Sequence, residues 1–261
     1  MLRHLLAALS LSCMLIGAQA QALDLPAPRQ GLEVNLGAGA ILYPAYPGAK
    51  VSRVLPYPLL SGGYGNRLDF DILDGLRLTA FEHAGFSLGP ALRLRFGRGS
   101  SDHRSQLHGL RSFGHTIEGG GFIAYERGPF YADATLTQDL AQEHKGLALD
   151  LRALLSFPLG RGGVQVGPQL RVVNRSFAQS YFGIDPINAA ASGRPAYRAG
   201  GGLERAGALV NAELPLVDRL AVRGIVEWAQ LGDQAARSPL VRDGGSRQQV
   251  FAGLFLVWRA W

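Results

Sequence analysis

Phe86 to Gly97 reads FSLGPALRLRFG, and the fold turns on it. Every second residue is apolar: Phe86, Leu88, Pro90, Leu92, Leu94 and Phe96. Between them stand Ser87, Gly89, Ala91, Arg93 and Arg95. A β-strand sends successive side chains to opposite faces, so one face of this stretch is oily and the other polar and cationic. In a soluble sheet the oily face is the inside. In an outer-membrane barrel it faces lipid, and the arginines face a wet lumen.

The same alternation recurs along the chain. Candidate strands are 32–42, 54–64, 67–73, 76–81, 116–125, 130–136, 147–157, 164–173, 197–214, 220–231 and 248–258, besides the opening stretch. The apolar register switches near Glu204 to Ala206. That slip predicts a β-bulge within one strand, with a hairpin turn there as the alternative. Short turns at 65–66, 82–85, 127–129, 158–163 and 215–219 alternate with connections at 43–53, 73–75, 97–115, 140–146, 174–196 and 232–247. Most of that second set is long, and tight turns at one end with extended loops at the other is the outer-membrane arrangement. With the bulge, the count is about twelve strands, an even number that returns both termini to one side.

Composition agrees. The chain of 261 residues has 35 glycines, which disfavour helices and suit turns and close strand contacts. Residues 1–20 read as a signal peptide: Arg3 and His4, an apolar run over 5–16, then Ala18-Gln19-Ala20 as cleavage site. Residues 21–261 then form the barrel. Cys13 allows a lipoprotein reading, but Ser10 stands where a lipobox has leucine. Cleavage removes Cys13, the only cysteine, so a disulfide framework is excluded. Loss of Arg3 leaves 25 basic against 20 acidic residues. The cations are scattered rather than gathered in one stripe, and export argues against nucleic acid as partner. No segment after the leader is long and apolar enough for a transmembrane helix.

A soluble sandwich or soluble barrel also predicts alternation and glycine-rich turns. Two patterns oppose it. Nearly every strand has an apolar face backed by charges or small residues. Aromatics also gather near strand ends, at Tyr43, Tyr57, Tyr64, Phe81, Phe96, Phe113, Tyr125, Phe130, Phe157, Trp228 and Trp258, like the interfacial girdles of a membrane barrel. The expected fold is therefore all-β, a transmembrane antiparallel up-and-down barrel.

Four sets of residues stand out: Gly37-Ala38-Gly39 with Pro44-Ala45-Tyr46-Pro47-Gly48; Leu88-Gly89-Pro90 with Gly97-Arg98; Tyr181-Phe182-Gly183-Ile184; and Gly232-Asp233-Gln234-Ala235-Ala236-Arg237-Ser238-Pro239. On these the chain resembles the MltA-interacting protein/OmpV family of outer-membrane proteins. The last two are the most specific. The family often ends in Tyr-x-Phe, whereas this chain ends Trp258-Arg259-Ala260-Trp261. The resemblance implies an outer-membrane barrel. It implies a scaffold role toward a lytic transglycosylase and a murein synthase, as in one namesake member, or a porin-like or adhesive role, as in others.

No catalytic, cofactor or metal set is expected. Gly85-Phe86-Ser87-Leu88-Gly89 matches the G-x-S-x-G elbow, but that motif needs a strand-to-helix turn and here lies inside a strand. Ser101, Asp102, His103, His108 and His115 share one polar loop and keep a lipid-modifying enzyme as a minor alternative, without tight metal spacing. Gly119-Gly120-Gly121 and Gly200-Gly201-Gly202 lie in predicted strands, with no helix following to make a phosphate loop. Arg93, Arg95, Arg152 and Arg171 are expected inside, paired with Asp69, Asp71, Asp133 or Asp150, or else lining an anion-tuned pore.

Overall fold

The computed structural model describes residues 31–99 and 107–260. The expected leader lies outside them, as do Ser101, Asp102 and His103. The strands are β1 (Leu32–Pro44), β2 (Ser52–Tyr64), β3 (Leu68–Asp71), β4 (Gly75–Leu78), β5 (Phe81–His83), β6 (Phe86–Arg95), β7 (Thr116–Arg127), β8 (Phe130–Asp139), β9 (Leu147–Leu159), β10 (Gly162–Val173), β11 (Gly202–Val217), β12 (Leu220–Leu231) and β13 (Gln248–Arg259). Within β1–β4 and within β5–β13 each strand pairs antiparallel with its sequence neighbours, β1 pairs with β13, and β4 pairs with β6 to close the ring.

Thirteen segments make twelve barrel strands, because β4 and β5 lie end to end along β6. Pro90 explains the break. Leu76 pairs with Leu92 and Phe81 with Leu88. Between them, Pro90 has no N–H to give Leu78, so the ladder lapses. It resumes where Ala80 N–H donates to the Leu88 carbonyl at 2.9 Å.

The bulge forms as expected. Arg171 pairs with Arg205 and Val172 with Leu203, leaving Glu204 as the extra residue. Other boundaries moved. Residues 197–201 are not strand; Tyr197 bridges Ile184 instead, and only Gly202 of the 200–202 triplet belongs to a strand. The turn expected at 215–219 shrinks to Asp218-Arg219, because β11 stays paired to Val217.

Side-chain exposure separates the two faces. In β13, Leu254 and Leu256 are 63% and 50% exposed, while Phe255 between them is 2%. In β6, Leu88, Leu92 and Leu94 stand exposed on the outside, while the Arg93 and Arg95 side chains are held inside. A ring of strands with its leucines outward matches a lipid-facing belt. Tyr64, Phe86, Phe130, Phe157 and Trp258 rim the turn end, with Phe96 and Trp228 near the loop end. Three aromatics expected in the girdles sit elsewhere. Tyr43 and Tyr57 pair with Arg53 and Gly39 on the inward face, and Phe113 is buried among the loops.

Candidate functional site: the lumen and its cap

The barrel interior has two unlike walls. One is apolar. Ile41 on β1, Leu59 on β2, and Phe255 and Val257 on β13 form a buried cluster, flanked by Tyr43, Tyr57, Ile225 and Phe251. Gly253 makes room for it; a Cβ there would lie 2.7 Å from the Phe255 ring. The β3–β4 hairpin adds Ile72 and Leu73 from its tip.

The opposite wall, from β4 to β10, is a ladder of ion pairs. Asp133 accepts from Arg77 at 2.7 Å and from Arg152 at 2.8 Å; Arg77 also donates to Tyr131 Oη and Thr135 Oγ1. One step on, Asp150 holds Arg93 at 2.7 Å and Arg171 at 2.6 Å. Nearer the loops, Glu118 forms a two-pronged pair with Arg95 and accepts from Thr137 at 3.0 Å. Asp74, at the hairpin tip, reaches Arg152 at 3.2 Å and so ties the apolar wall to the charged one. Bidentate and shared carboxylates of this kind are the strong form of the ion pair.

The loop end is closed by a folded cap. Helix α1 (Arg175–Phe182) starts at Asn174, whose side chain accepts from Phe177 N–H. Helix α2 (Pro186–Ser192) starts at Asp185, has proline in its first turn, and ends at Gly193 with φ 69°. Two single-turn helices follow later, α3 (Asp233–Ala236) and α4 (Pro239–Arg242). Their apolar residues merge into two buried clusters. One gathers Phe113, Val173, Phe177, Tyr181, Phe182 and Leu231, the other Tyr46, Leu107, Leu110, Ile184 and Leu240.

Buried polar groups hold the cap together. Ser238 Oγ donates to the Phe182 carbonyl at 2.6 Å, and Gln249 accepts from Gly48 N–H and donates to the Ala49 carbonyl. Arg98, buried against the Phe113 ring, donates to the carbonyls of Tyr181 and Arg111. Burial lowers the Arg98 pKa to about 10, and burial raises those of Tyr46, Tyr181 and Tyr197 above the usual tyrosine value. Gly48 has φ 93°, and a Cβ there would meet Val241 at 2.5 Å, so glycine alone suits the position.

His144 joins the two regions. Its side chain is fully buried, with Nε2 3.1 Å from Glu118 and Nδ1 accepting from Gly146 N–H. The ring packs against Phe177 and Tyr181 of the cap. Asp139 accepts from the backbone N–H groups of Ala141, His144 and Lys145, which fixes the turn.

The expected inward arginines are therefore inside and paired. Asp133 and Asp150 are partners as expected, whereas Asp71 pairs with Arg223 on the other wall. Sequence reasoning missed Arg77, Asp74, Glu118 and His144. Glu118 was readable, since it shares the inward face of β7 with Gly120 and Phe122 and stands across from Arg93 in the β6 register. Of the loop histidines, His115 accepts from Gly97 N–H and packs edge-on against Phe96, and His108 stands exposed at the surface. Ser87 of the G-x-S-x-G match is the second residue of β6, paired with Glu82 on one side and Ala124 on the other. Among the described residues, no three His, Cys, Asp or Glu side chains converge as metal ligands.

The three loop motifs singled out in the sequence, 44–48, 181–184 and 232–239, meet in this one cap. The MltA-interacting protein MipA family matches residues 36–260. The chain belongs to that family. No curated protein matches it. Among solved structures, the anion-selective porin from Comamonas acidovorans is similar over 87% of this chain and 98% of that one, with 12% identity and a TM-score of 0.31. So remote a likeness carries no functional weight. Family membership and the apolar belt together make the protein an outer-membrane barrel.

Proposed function

We propose that this family member is a closed, non-enzymatic barrel in the outer membrane of a Gram-negative bacterium, serving as a scaffold for peptidoglycan-remodelling enzymes. The observation that carries the reading is the double closure. An apolar cap with buried hydrogen bonds covers the loop end, and the lumen beneath it is crossed by ion pairs from wall to hairpin tip. Such a body is suited to holding partners rather than passing solutes. The family name points to a lytic transglycosylase as one partner, and a murein synthase is the natural second. Both would meet the turn end, where Arg67, Arg127, Arg161 and Arg219 stand exposed.

Affinity capture from envelope extracts tests the reading. Enrichment of murein enzymes over an unrelated barrel of similar size is the expected result; equal recovery would sink it. The inward arginines keep a small-solute channel as the second reading, although Arg77, Arg93, Arg95, Arg152 and Arg171 all have carboxylate partners. Planar-bilayer recording separates the two, since the closed form passes little steady current. The reading also includes removal of residues 1–20 on export, which N-terminal sequencing of the membrane form checks.

A further inference from the structure

The cap carries cations that its own folding does not use. In the described connections at the loop end, 45–51, 96–99, 107–115, 140–146, 174–201 and 232–247, ten Lys or Arg residues stand against four Asp or Glu. All four carboxylates are engaged. Glu143 accepts from Gly114 N–H at 3.0 Å, Asp185 caps α2, Asp233 pairs with Arg247 at 2.9 Å, and Asp243 pairs with Arg242 at 2.6 Å. Lys145, Arg175, Arg198 and Arg237 are exposed, and among the described residues none of them has a carboxylate within ion-pair distance.

These four follow one another round the rim above β9 to β12. Lys145 stands two residues before Leu147, whose N–H donates to the Asn174 side chain at 3.1 Å, and Arg175 comes directly after Asn174. A Cβ on Gly201 would lie 2.9 Å from the Arg175 nitrogen, so the 198–201 segment runs alongside. Gly200 N–H donates to Gln234 Oε1 at 3.1 Å, and Tyr197 Oη donates to the Gln234 carbonyl at 2.7 Å. Those bonds hold the segments bearing Arg198 and Arg237 against each other. From β9 to β12 is three strand spacings, about 14 Å.

Depth points to the ligand independently of charge. Val172, Leu203 and Trp228 are the exposed apolar residues nearest the cap on β10, β11 and β12. Arg175 lies three residues past Val172. At about 3.3 Å per residue and a tilt near 40°, that is at most about 8 Å above the oily belt, within the headgroup layer. Guanidinium groups without partners at that level suit phosphate, which arginine grips through paired N–H donors. The long loops face away from the cell, so the phosphates are those of the outer leaflet. Four cations spread over about 14 Å match a head group with two separated phosphates better than a single phosphodiester. We propose that Lys145, Arg175, Arg198 and Arg237 bind the phosphates of a diphosphorylated glycolipid of the outer leaflet. This assignment needs the outer-membrane placement and stands whether or not the protein is a scaffold.

Native mass spectrometry of the detergent-solubilised protein, titrated with purified lipids, tests it. Diphosphoryl lipid A should bind at least tenfold more tightly than phosphatidylglycerol; equal affinity overturns the glycolipid assignment. Lys145→Gln, Arg175→Gln, Arg198→Gln and Arg237→Gln together should weaken lipid A binding at least fivefold, and a smaller loss overturns the site. Dephosphorylated lipid A should bind the unsubstituted protein no better than the diphosphorylated form binds the fourfold variant. If removing the phosphates makes no difference, acyl contacts alone hold the lipid and the assignment fails. Lys50→Gln with Arg111→Gln removes two exposed cap cations on other connections and should change affinity less than twofold, while Arg198→Gln with Arg237→Gln weakens it at least threefold. Equal losses for the two pairs would mean diffuse attraction to net charge and would overturn the site. A heat-dependent gel shift verifies folding, and if the fourfold variant fails it, the two double variants are read in its place.

Discussion

The two walls of the lumen solve one problem in opposite ways. Around Phe255, the interior is filled with side chains that exclude water. Around Asp150, it is filled with charges that hold one another. The apolar wall depends on volume, so damage there scales with the atoms removed. The charged wall depends on completeness, because a lone ion in a crowded lumen is worse than no ions at all. Twelve strands make a barrel narrow enough for side chains from both walls to meet at the hairpin tip.

The largest expected effect lies on the charged wall. Asp150→Ala strands Arg93 and Arg171, whose side chains are only 12% and 9% exposed. Unfolding in urea, followed by gel shift, should show a loss of about 3–5 kcal/mol. Replacing Arg93, Asp150 and Arg171 together with apolar residues of similar size should restore stability to near the wild-type level. A loss below about 1 kcal/mol for Asp150→Ala would mean that water screens the ladder, and the comparison of walls would fail in favour of a hydrated channel.

On the apolar wall, Phe255→Ala should cost about 3–4 kcal/mol by the same assay. Unlike Asp150→Ala, it has no rescue by removing a neighbour. Rescue by any single substitution on the charged wall would show that the two walls are one coupled network. Smaller still is Ser238→Ala in the cap. It leaves the Phe182 carbonyl without that donor and should cost about 1–2 kcal/mol, seen as faster protease cleavage of loops 174–201 and 232–247 while the barrel's urea midpoint holds.

The mildest perturbation is alkaline pH, which separates cap from barrel. Tyr46, Tyr181 and Tyr197 have raised pKa values in the folded cap, so above pH 10 the opened state releases protons first and the cap weakens. Arg98, lowered to about 10, acts the other way, because its opened form keeps the proton longer. Three tyrosines oppose one arginine. Loop protection against protease should therefore stay flat from neutral pH to about 9 and decline beyond 10. A rise beyond pH 10 would show that Arg98 dominates.

Much of the barrel was legible because a strand's period is two and a lipid belt demands it. Arg93 and Arg95 could only point inward once Leu92 and Leu94 faced out. Even the slip at Glu204 was readable as a broken register. The misplaced turn at 215–219 has a local cause, since Pro215 looks like a breaker but sits where β11 still pairs. Tyr43 and Tyr57 misled because nearness to a strand end was read without parity. The cap was not legible. Its helices are short, their apolar residues come from separate loops, and nothing periodic announces that Phe182 will meet Ser238.

By itself the sequence determined which side of each strand would meet lipid, that about twelve strands would close, and that the arginines would lie within, because all three follow from alternation at a fixed spacing. Only the tertiary structure decided which carboxylate each arginine found, that the long loops fold into a lid, and that β4 and β5 share one edge of β6. Those depend on distances between residues far apart in the chain, and such distances are set by how the ring closes.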